Sequence, residues 1–296
     1  MEIVTARPHD LATVRELIRF AHHRHAHIAD EDLATTIARG DVLLAREGSN
    51  AVALLITYTE PPPPSLPASA PNRVYLRAFA CARTASPTVA FGAMLLVLRR
   101  QPRVRPQLLI AYGDEGWISR TLASNGMSLV EQVQFFELSN LRRGTWPPPD
   151  LPEDMSLRSA GINDLDLLAA MDALSFDLLW HYSARELHGL CMRGHVEMAV
   201  ANGVPIGYFA LTTDGDVASL ARLAVHPDWQ GRGLGRALLV ASLLRAQAAG
   251  CQQVVLNTQA HNERAKTLYH SLGFRFTGRQ LAIFTSLLDI AAGSES

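Results

Sequence analysis

A mixed α/β protein made of two tandem copies of one folding unit is what this 296-residue sequence predicts. Three observations carry the expectation. Ser219–Val225, Gln230–Gly235 and Arg236–Arg245 lay out a buried strand, a glycine-dense turn and a helix with leucine and alanine at helical spacing. The same order of elements occurs once in each half of the chain, which marks a duplication. Between the halves, Trp146–Pro152 holds four prolines and has the composition of a stiff linker. The expected division is a first domain over residues 1–144, a linker over 145–154 and a second domain over 155–290.

Each half opens on a short strand and a helix, around Ile3–Leu11 and Met155–Leu165. In the first half, Ala51–Tyr58 and Val74–Ala80 follow as strands, joined by a proline-rich stretch, Pro61–Pro71, expected as an exposed loop. His22, His23, His25 and His27 lie together, but no carboxylate or cysteine accompanies them at a metal-binding spacing. They are expected as an exposed helix end, and no metal site is expected. Leu122–Met127 closes a helix on Gly126, and a hairpin is expected after it.

In the second half, the helix after the glycine turn stops at Gly250, a residue suited to the left-handed C-terminal position. Gln253–Thr258 makes another buried strand, and Asn262–Gly273 a short helix that mirrors Leu122–Met127. Phe274–Gly278 and Leu281–Leu287 are expected to form a closing hairpin.

The turn carries the chemistry. Glycines let main-chain N–H groups face inward, and the unpaired amides of a first helical turn attract anions. Arg232 and Arg236 add formal charge where it would otherwise oppose the helix dipole. A pyrophosphate suits such a cradle. A P-loop is excluded because no Lys-Ser or Lys-Thr pair follows the glycines. A dinucleotide fingerprint is excluded because its third glycine would fall on Arg236 or Leu238, and no acid lies near Val255.

Gln230, Gly233 and Gly235 instead fit [Gln/Arg]-x-x-Gly-x-[Gly/Ala], and Asn262–Phe274 fits Asn-x-x-Ala-x-x-Leu-Tyr-x-x-x-Gly-Phe. In both blocks the chain resembles the GCN5-related N-acetyltransferases (GNAT superfamily) over about residues 218–288. The resemblance implies two GNAT-like domains, each a mixed, mostly antiparallel twisted sheet flanked by helices, with a splayed central pair of parallel strands. It implies an acetyl group moved from acetyl-CoA, as co-substrate, to a primary amine by direct attack in the second domain. Acetyl-CoA would then lie between the strands ending at Val225 and Thr258. Its pantetheine arm would pair with Leu223 and Val225, and its pyrophosphate would sit on Gly231, Arg232, Gly233, Leu234, Gly235 and Arg236, with Gln230 opening the motif. The Leu223 amide would stabilise the oxyanion. Tyr269 would serve the departing thiolate, and Asn262 would contact the pantetheine arm.

The first copy lacks the glycines: its corresponding stretch is Ala82–Gly92, with Glu115 at the place of Asn262 and Leu122 at that of Tyr269. It is expected to be degenerate and non-catalytic. Where some relatives carry a glutamate base, this chain has Ser219, leaving Glu197, Asp214, Asp216 and His226 as alternatives. Phe176, Trp180, His181 and Tyr182 are expected either to line the acceptor pocket or to be core. Asp172, Asp177 and Glu186 hint at a cationic, partly apolar acceptor, which could be a small molecule or a peptide. The alternative function is a non-catalytic acyl-CoA-binding or oligomerisation module that has lost its base. A longer acyl donor is a third reading.

Composition limits the rest. Apolar residues are 48% and charged residues 19%, as in a soluble protein with a sizeable core. The net charge of −1 gives no field to hold nucleic acid. No apolar run reaches membrane length, and Glu2, Arg7 and Asp10 stand where a signal peptide would be apolar. Cys81, Cys191 and Cys251 are widely spaced and expected to be reduced. A cytoplasmic protein is expected, with no membrane or nucleic-acid partner and a homodimer left open.

Overall fold

The structure, a computed structural model, describes residues 1–62, 66–67, 69–149, 151–152 and 154–288. Pro63, Pro64, Ser65 and Ala68 of the expected loop, Asp150 and Glu153 of the expected linker, and residues 289–290 of the expected second domain lie outside the described residues. Contacts divide the chain into two compact units. The first holds residues 1–62, 69–132 and 280–288, and the second holds residues 66–67 and Val133–Arg279. The division therefore falls within a strand at residue 132, and the prolines at 147–149 lie inside the second unit.

The first unit contains β1 (Glu2–Thr5), α1 (Leu11–Phe20), β2 (His23–Ala26), α2 (Leu33–Ala38), β3 (Val42–Glu47), β4 (Asn50–Glu60), β5 (Asn72–Cys81), α3 (Pro87–Arg100), β6 (Gln107–Gly113) and α4 (Gly116–Ser124). β7 (Ser128–Leu138) leads out of it. The second contains β8 (Met155–Ser159), α5 (Leu165–Ser175), α6 (Ala184–Arg193), β9 (His195–Ala201), β10 (Val204–Asp214), β11 (Val217–Val225), α7 (Leu234–Ala248), β12 (Gln253–Gln259) and α8 (Glu263–Ser271). β13 (Arg275–Leu288) ends the described chain.

Both units repeat one plan. Antiparallel neighbours run β1-β3-β4-β5 in the first and β8-β9-β10-β11 in the second. A parallel step follows each: Asn72–Tyr75 of β5 on Gln107–Ile110 of β6, and Val217–Ser219 of β11 on Gln253–Val255 of β12. Parallel pairing needs a long crossover, supplied by α3 and α7. Beyond those few residues the paired strands part; β12 leaves the end of β11 uncovered on that side, whereas β2 pairs with the corresponding part of β5.

The closing strands depart from expectation. Residues 133–138 of β7 pair with β12 in the second unit, while Ala282–Leu288 of β13 pair with β6 in the first. Each half thus gives its last strand to the other unit's sheet. Neither half closes with the expected hairpin. Gly278 does adopt the left-handed backbone (φ 81°) that suggested a turn, yet β13 runs through it as one strand.

Helices cover both faces of each sheet. In the second unit, α7 buries Leu234, Leu238, Leu239 and Leu243 against one face together with Tyr269 and Phe274. On the other face α5 and α6 bury Leu168, Met171 and Leu187 against Tyr208 and Ala224. α3 packs Phe91, Met94 and Leu95 in the first unit, and α1 and α2 pack Val14, Leu17, Leu33 and Ile37.

Candidate active site

The edge of β11 is shaped by a bulge. Arg222 faces Ala210 and Leu220 faces Leu211, so Ala221 has no partner on β10. One extra residue reverses which side chains meet which face. Ala218 and Leu220 belong to the core under α7, whereas beyond the bulge it is Leu223 and Val225 that pack there. The bulge also sets where main-chain groups point. His226 N–H donates to Ile206 C=O (2.9 Å), so by alternation along the ladder Leu223 and Val225 turn their amides and carbonyls away from β10. They face the side where β12 has already diverged after Val255. The main-chain groups of Leu223 and Val225 thus lie along the part of β11 that β12 leaves uncovered.

Val225 C=O accepts hydrogen bonds from Gln230 Nε2 (3.2 Å) and Ser175 Oγ (3.4 Å). Gln230 Oε1 in turn accepts from Arg264 (3.0 Å). Gln230 therefore braces the turn between β11 and α8. Gly231 (φ 81°) and Gly233 (φ 84°) both take the left-handed conformation, and Gly233 caps α7. No side chain caps it. Among the described residues, the amides of Gly231, Arg232, Gly233, Leu234 and Gly235 meet no protein acceptor. Arg236 N–H is different: it donates to Gly233 C=O (2.9 Å), so its main chain is used within the turn. Arg232 lies over the Trp229 ring at 5.0 Å, and Arg236 donates to Ser271 Oγ (2.9 Å). Arg264, the third cation at this turn, was not singled out in the sequence because only the return of α8 brings it there.

Tyr269 lies 5.9 Å from Phe136 and 6.0 Å from Phe274, ring to ring, with burial pushing its phenol up to about 12. It therefore keeps its proton at neutral pH. Asn262 caps α8, its Oδ1 accepting from Ala265 N–H (3.0 Å).

Of the groups considered as bases, Asp214 is exposed at the end of β10, and the others have other occupations. Glu197 pairs with Arg245 and with His195 Nε2 (2.8 Å). Asp216 accepts from Gln252 (2.9 Å), and His226 Nδ1 from Asp228 N–H (3.2 Å). Ser219 lies in the paired part of β11.

The aromatic and acidic residues ahead of β9 build a support instead of an open cationic pocket. Asp172 is fully buried and receives Arg222 Nε and Nη2, both at 2.6 Å, the Tyr182 amide at 2.5 Å and the Tyr208 hydroxyl. Arg222 also donates to Trp180 C=O (2.6 Å) and is sandwiched between Phe176 (3.5 Å) and Tyr182 (4.1 Å). Burial opposes the Arg222 charge, yet the bonds to Asp172 outweigh it and raise its pKa. Asp177 bonds the Leu179 amide (3.0 Å) and Glu186 the Ser183 amide (2.8 Å). The acids that hinted at a cationic acceptor are thus engaged in structure.

The first unit has a bulge at the matching place, Arg77, between Ala78 facing Ile56 and Leu76 facing Thr57. Phe79 and Cys81 are then the counterparts of Leu223 and Val225. Here the edge is filled: β2 pairs His25 with Phe79 and His23 with Cys81, and His27 N–H donates to Arg77 C=O (2.7 Å). His23 and His25 lie on a strand, with His22 just before it and His27 just after, not on the expected helix end. Backbone pairing with β5 overrode their place after α1. His25 and His27 meet Asp114, which follows β6 some ninety positions along the chain and so left no spacing to recognise.

A family model described as the acetyltransferase (GNAT) family matches residues 163–274. A mycothiol acetyltransferase of Saccharomonospora viridis is 28% identical over 206 residues, covering 62% of this chain and 65% of that relative, so the chain spans just under two thirds of its length. A mycothiol acetyltransferase of Nocardiopsis dassonvillei is 48% identical over 63 residues, 21% of this chain and 19% of that protein. Among solved structures, a GCN5-related N-acetyltransferase from Sphaerobacter thermophilus superposes with a TM-score of 0.59 at 14% identity, covering 97% of this chain and 95% of its own. A tandem GNAT protein from the clavulanic acid biosynthesis pathway gives 0.59 at 16% identity, covering 97% and 98%. The motifs and the family match agree on the second half, and residues 163–274 form an acetyltransferase (GNAT) family domain within a chain whose fold follows that of tandem GNAT proteins.

Proposed function

We propose that the second unit transfers an acetyl group from acetyl-CoA to the primary amine of a small molecule, and that the first unit binds no acyl-CoA. The observation that carries the reading is the row of acceptor-free amides from Gly231 to Gly235, beside Arg232, Arg236 and Arg264. Such a row holds a pyrophosphate without further rearrangement. The open edge at Leu223 and Val225 then receives the pantetheine arm. In the first unit β2 already holds the equivalent edge, and Pro87 at the start of α3 removes an amide from the equivalent turn. That difference supports a single cofactor site.

Attack by the neutral amine forms the N–C bond, with the Leu223 N–H donating to the carbonyl oxygen as it gains charge. Collapse breaks the C–S bond. Tyr269 donates a hydrogen bond to the leaving sulfur. With its phenol near 12 and a thiol of about 8.5, outright proton donation is uphill by several pK units. The thiolate's proton therefore comes from the nitrogen of the tetrahedral intermediate, which becomes far more acidic as the amide forms, with the Tyr269 hydroxyl as relay. An α-amine with a pKa of about 8 is largely protonated at neutral pH and must first lose a proton. Because Glu197 is held by Arg245 and His195, water leading to solvent performs that step. The acceptor class follows the relatives named mycothiol acetyltransferase.

Thiol release from acetyl-CoA, measured with amino sugars, amino acids, polyamines and peptide N-termini, tests the proposal. Saturable release with a small-molecule amine is expected. Stoichiometric acetyl-CoA binding with no release on any amine would instead establish the non-catalytic module.

A further inference from the structure

The pairing of β2 with β5 brings a second chemistry to the first unit. It carries His25 and His27 into the opening where β5 and β6 part, and Asp114 enters from the end of β6. His25 Nδ1 lies 2.8 Å from Asp114 Oδ1, and His27 Nε2 lies 3.5 Å from Asp114 Oδ2. One ligand atom from each residue falls within 4.8 Å of the others. Two imidazoles and a carboxylate converging at these separations are suited to a metal. Around a tetrahedral ion with bonds of about 2.0–2.2 Å, neighbouring donors stand about 3.3–3.6 Å apart.

Hydrogen bonding alone accounts for the cluster poorly. The 3.5 Å contact is too long for a good bond to His27. The His25 side chain is 1% exposed, and its Nε2 has no partner among the described residues. A buried imidazole has thus given up water for one bond to a carboxylate. Charge points the same way. Asp114 and Glu115 are adjacent, and the ion pairs of Asp114 are with histidine alone among the described residues.

We infer that His25, His27 and Asp114 bind a divalent transition-metal ion of the zinc class. Two nitrogen donors disfavour calcium and magnesium, which take oxygen ligands. Three protein ligands leave a fourth position to water, facing solvent on the side of His27, which is 43% exposed. The site is separate from the glycine turn of the second unit. It gives the first copy a ligand of its own where the cofactor edge has been closed.

The test uses the full chain, stripped of metal by chelator and titrated with Zn²⁺ in competition with a chromogenic indicator. Co²⁺ absorption gives a second readout of coordination. One tight equivalent per chain is expected, with a Co²⁺ spectrum of four-coordinate intensity. His27→Ala and Asp114→Asn should each weaken binding about 10–100-fold. Both positions are partly exposed, so an unchanged circular dichroism spectrum without metal shows that the variants fold. Absence of a tight equivalent, or binding and spectra unaffected by both substitutions, would overturn the inference.

Discussion

Replacing Gly233 by alanine adds one methyl group at the centre of the cradle. The added carbon meets nothing within 4 Å, so steric crowding contributes nothing. The cost is conformational, because φ is 84° and an L-residue pays about 1–2 kcal/mol in the left-handed region. The loop can relieve that strain by turning the amides of 233–235 away. Binding the pyrophosphate then has to restore them, which corresponds to a roughly 5–30-fold weaker Kd for acetyl-CoA. Gly235 is the internal control. Its φ lies outside the left-handed region, and a Cβ there would meet Leu268 Cδ2 at 3.7 Å and Val225 Cγ2 at 3.8 Å, which are ordinary contacts. Gly235→Ala should therefore bind within about twofold of the parent. Calorimetric titration of acetyl-CoA into the three proteins, alongside their thermal melts, decides the matter. Equal affinities for Gly233→Ala and the parent, or an equal loss in both variants, would refute the reasoning that left-handed backbone holds the cradle open.

Tyr269→Phe should lower kcat about 10–100-fold while the acetyl-CoA Kd stays within twofold, since a hydrogen bond to the leaving sulfur matters only as the C–S bond breaks. An unchanged kcat would remove Tyr269 from the chemistry. Asp172→Asn leaves the Arg222 charge buried without a counter-charge and should destabilise the second unit by about 3–5 kcal/mol. The double variant Asp172→Asn with Arg222→Met should recover much of that loss in chemical denaturation. Additive losses would show that the pair is not the source.

Local features were legible in the sequence and long-range ones were not. The cradle could be read because its glycines, arginines and following helix are consecutive, and each residue's conformational preference agrees with its place. Tyr269 and Asn262 came with a block of similar locality. The bulge at Ala221 was invisible, because alternation in Val217–Val225 looks unbroken until the partner strand shows the extra residue. Arg222 seemed one polar residue in an apolar strand; its partner Asp172 is fifty positions earlier. The strand β2 was hidden because its histidines follow a helix and carry no strand preference; pairing with β5 decides its form. Exchange of the last strands depends on partners far along the chain, so Gly278 suggested a reversal that the tertiary pairing does not make.

A crystal structure of the full chain grown with acetyl-CoA tests the central claim most directly. It should show pyrophosphate oxygens within hydrogen-bond distance of the 231–235 amides and the thioester carbonyl on the Leu223 N–H, with β2 still paired to β5 and no second cofactor. A pyrophosphate held elsewhere, or a pantetheine arm lying along Phe79 and Cys81 in place of β2, would contradict the account.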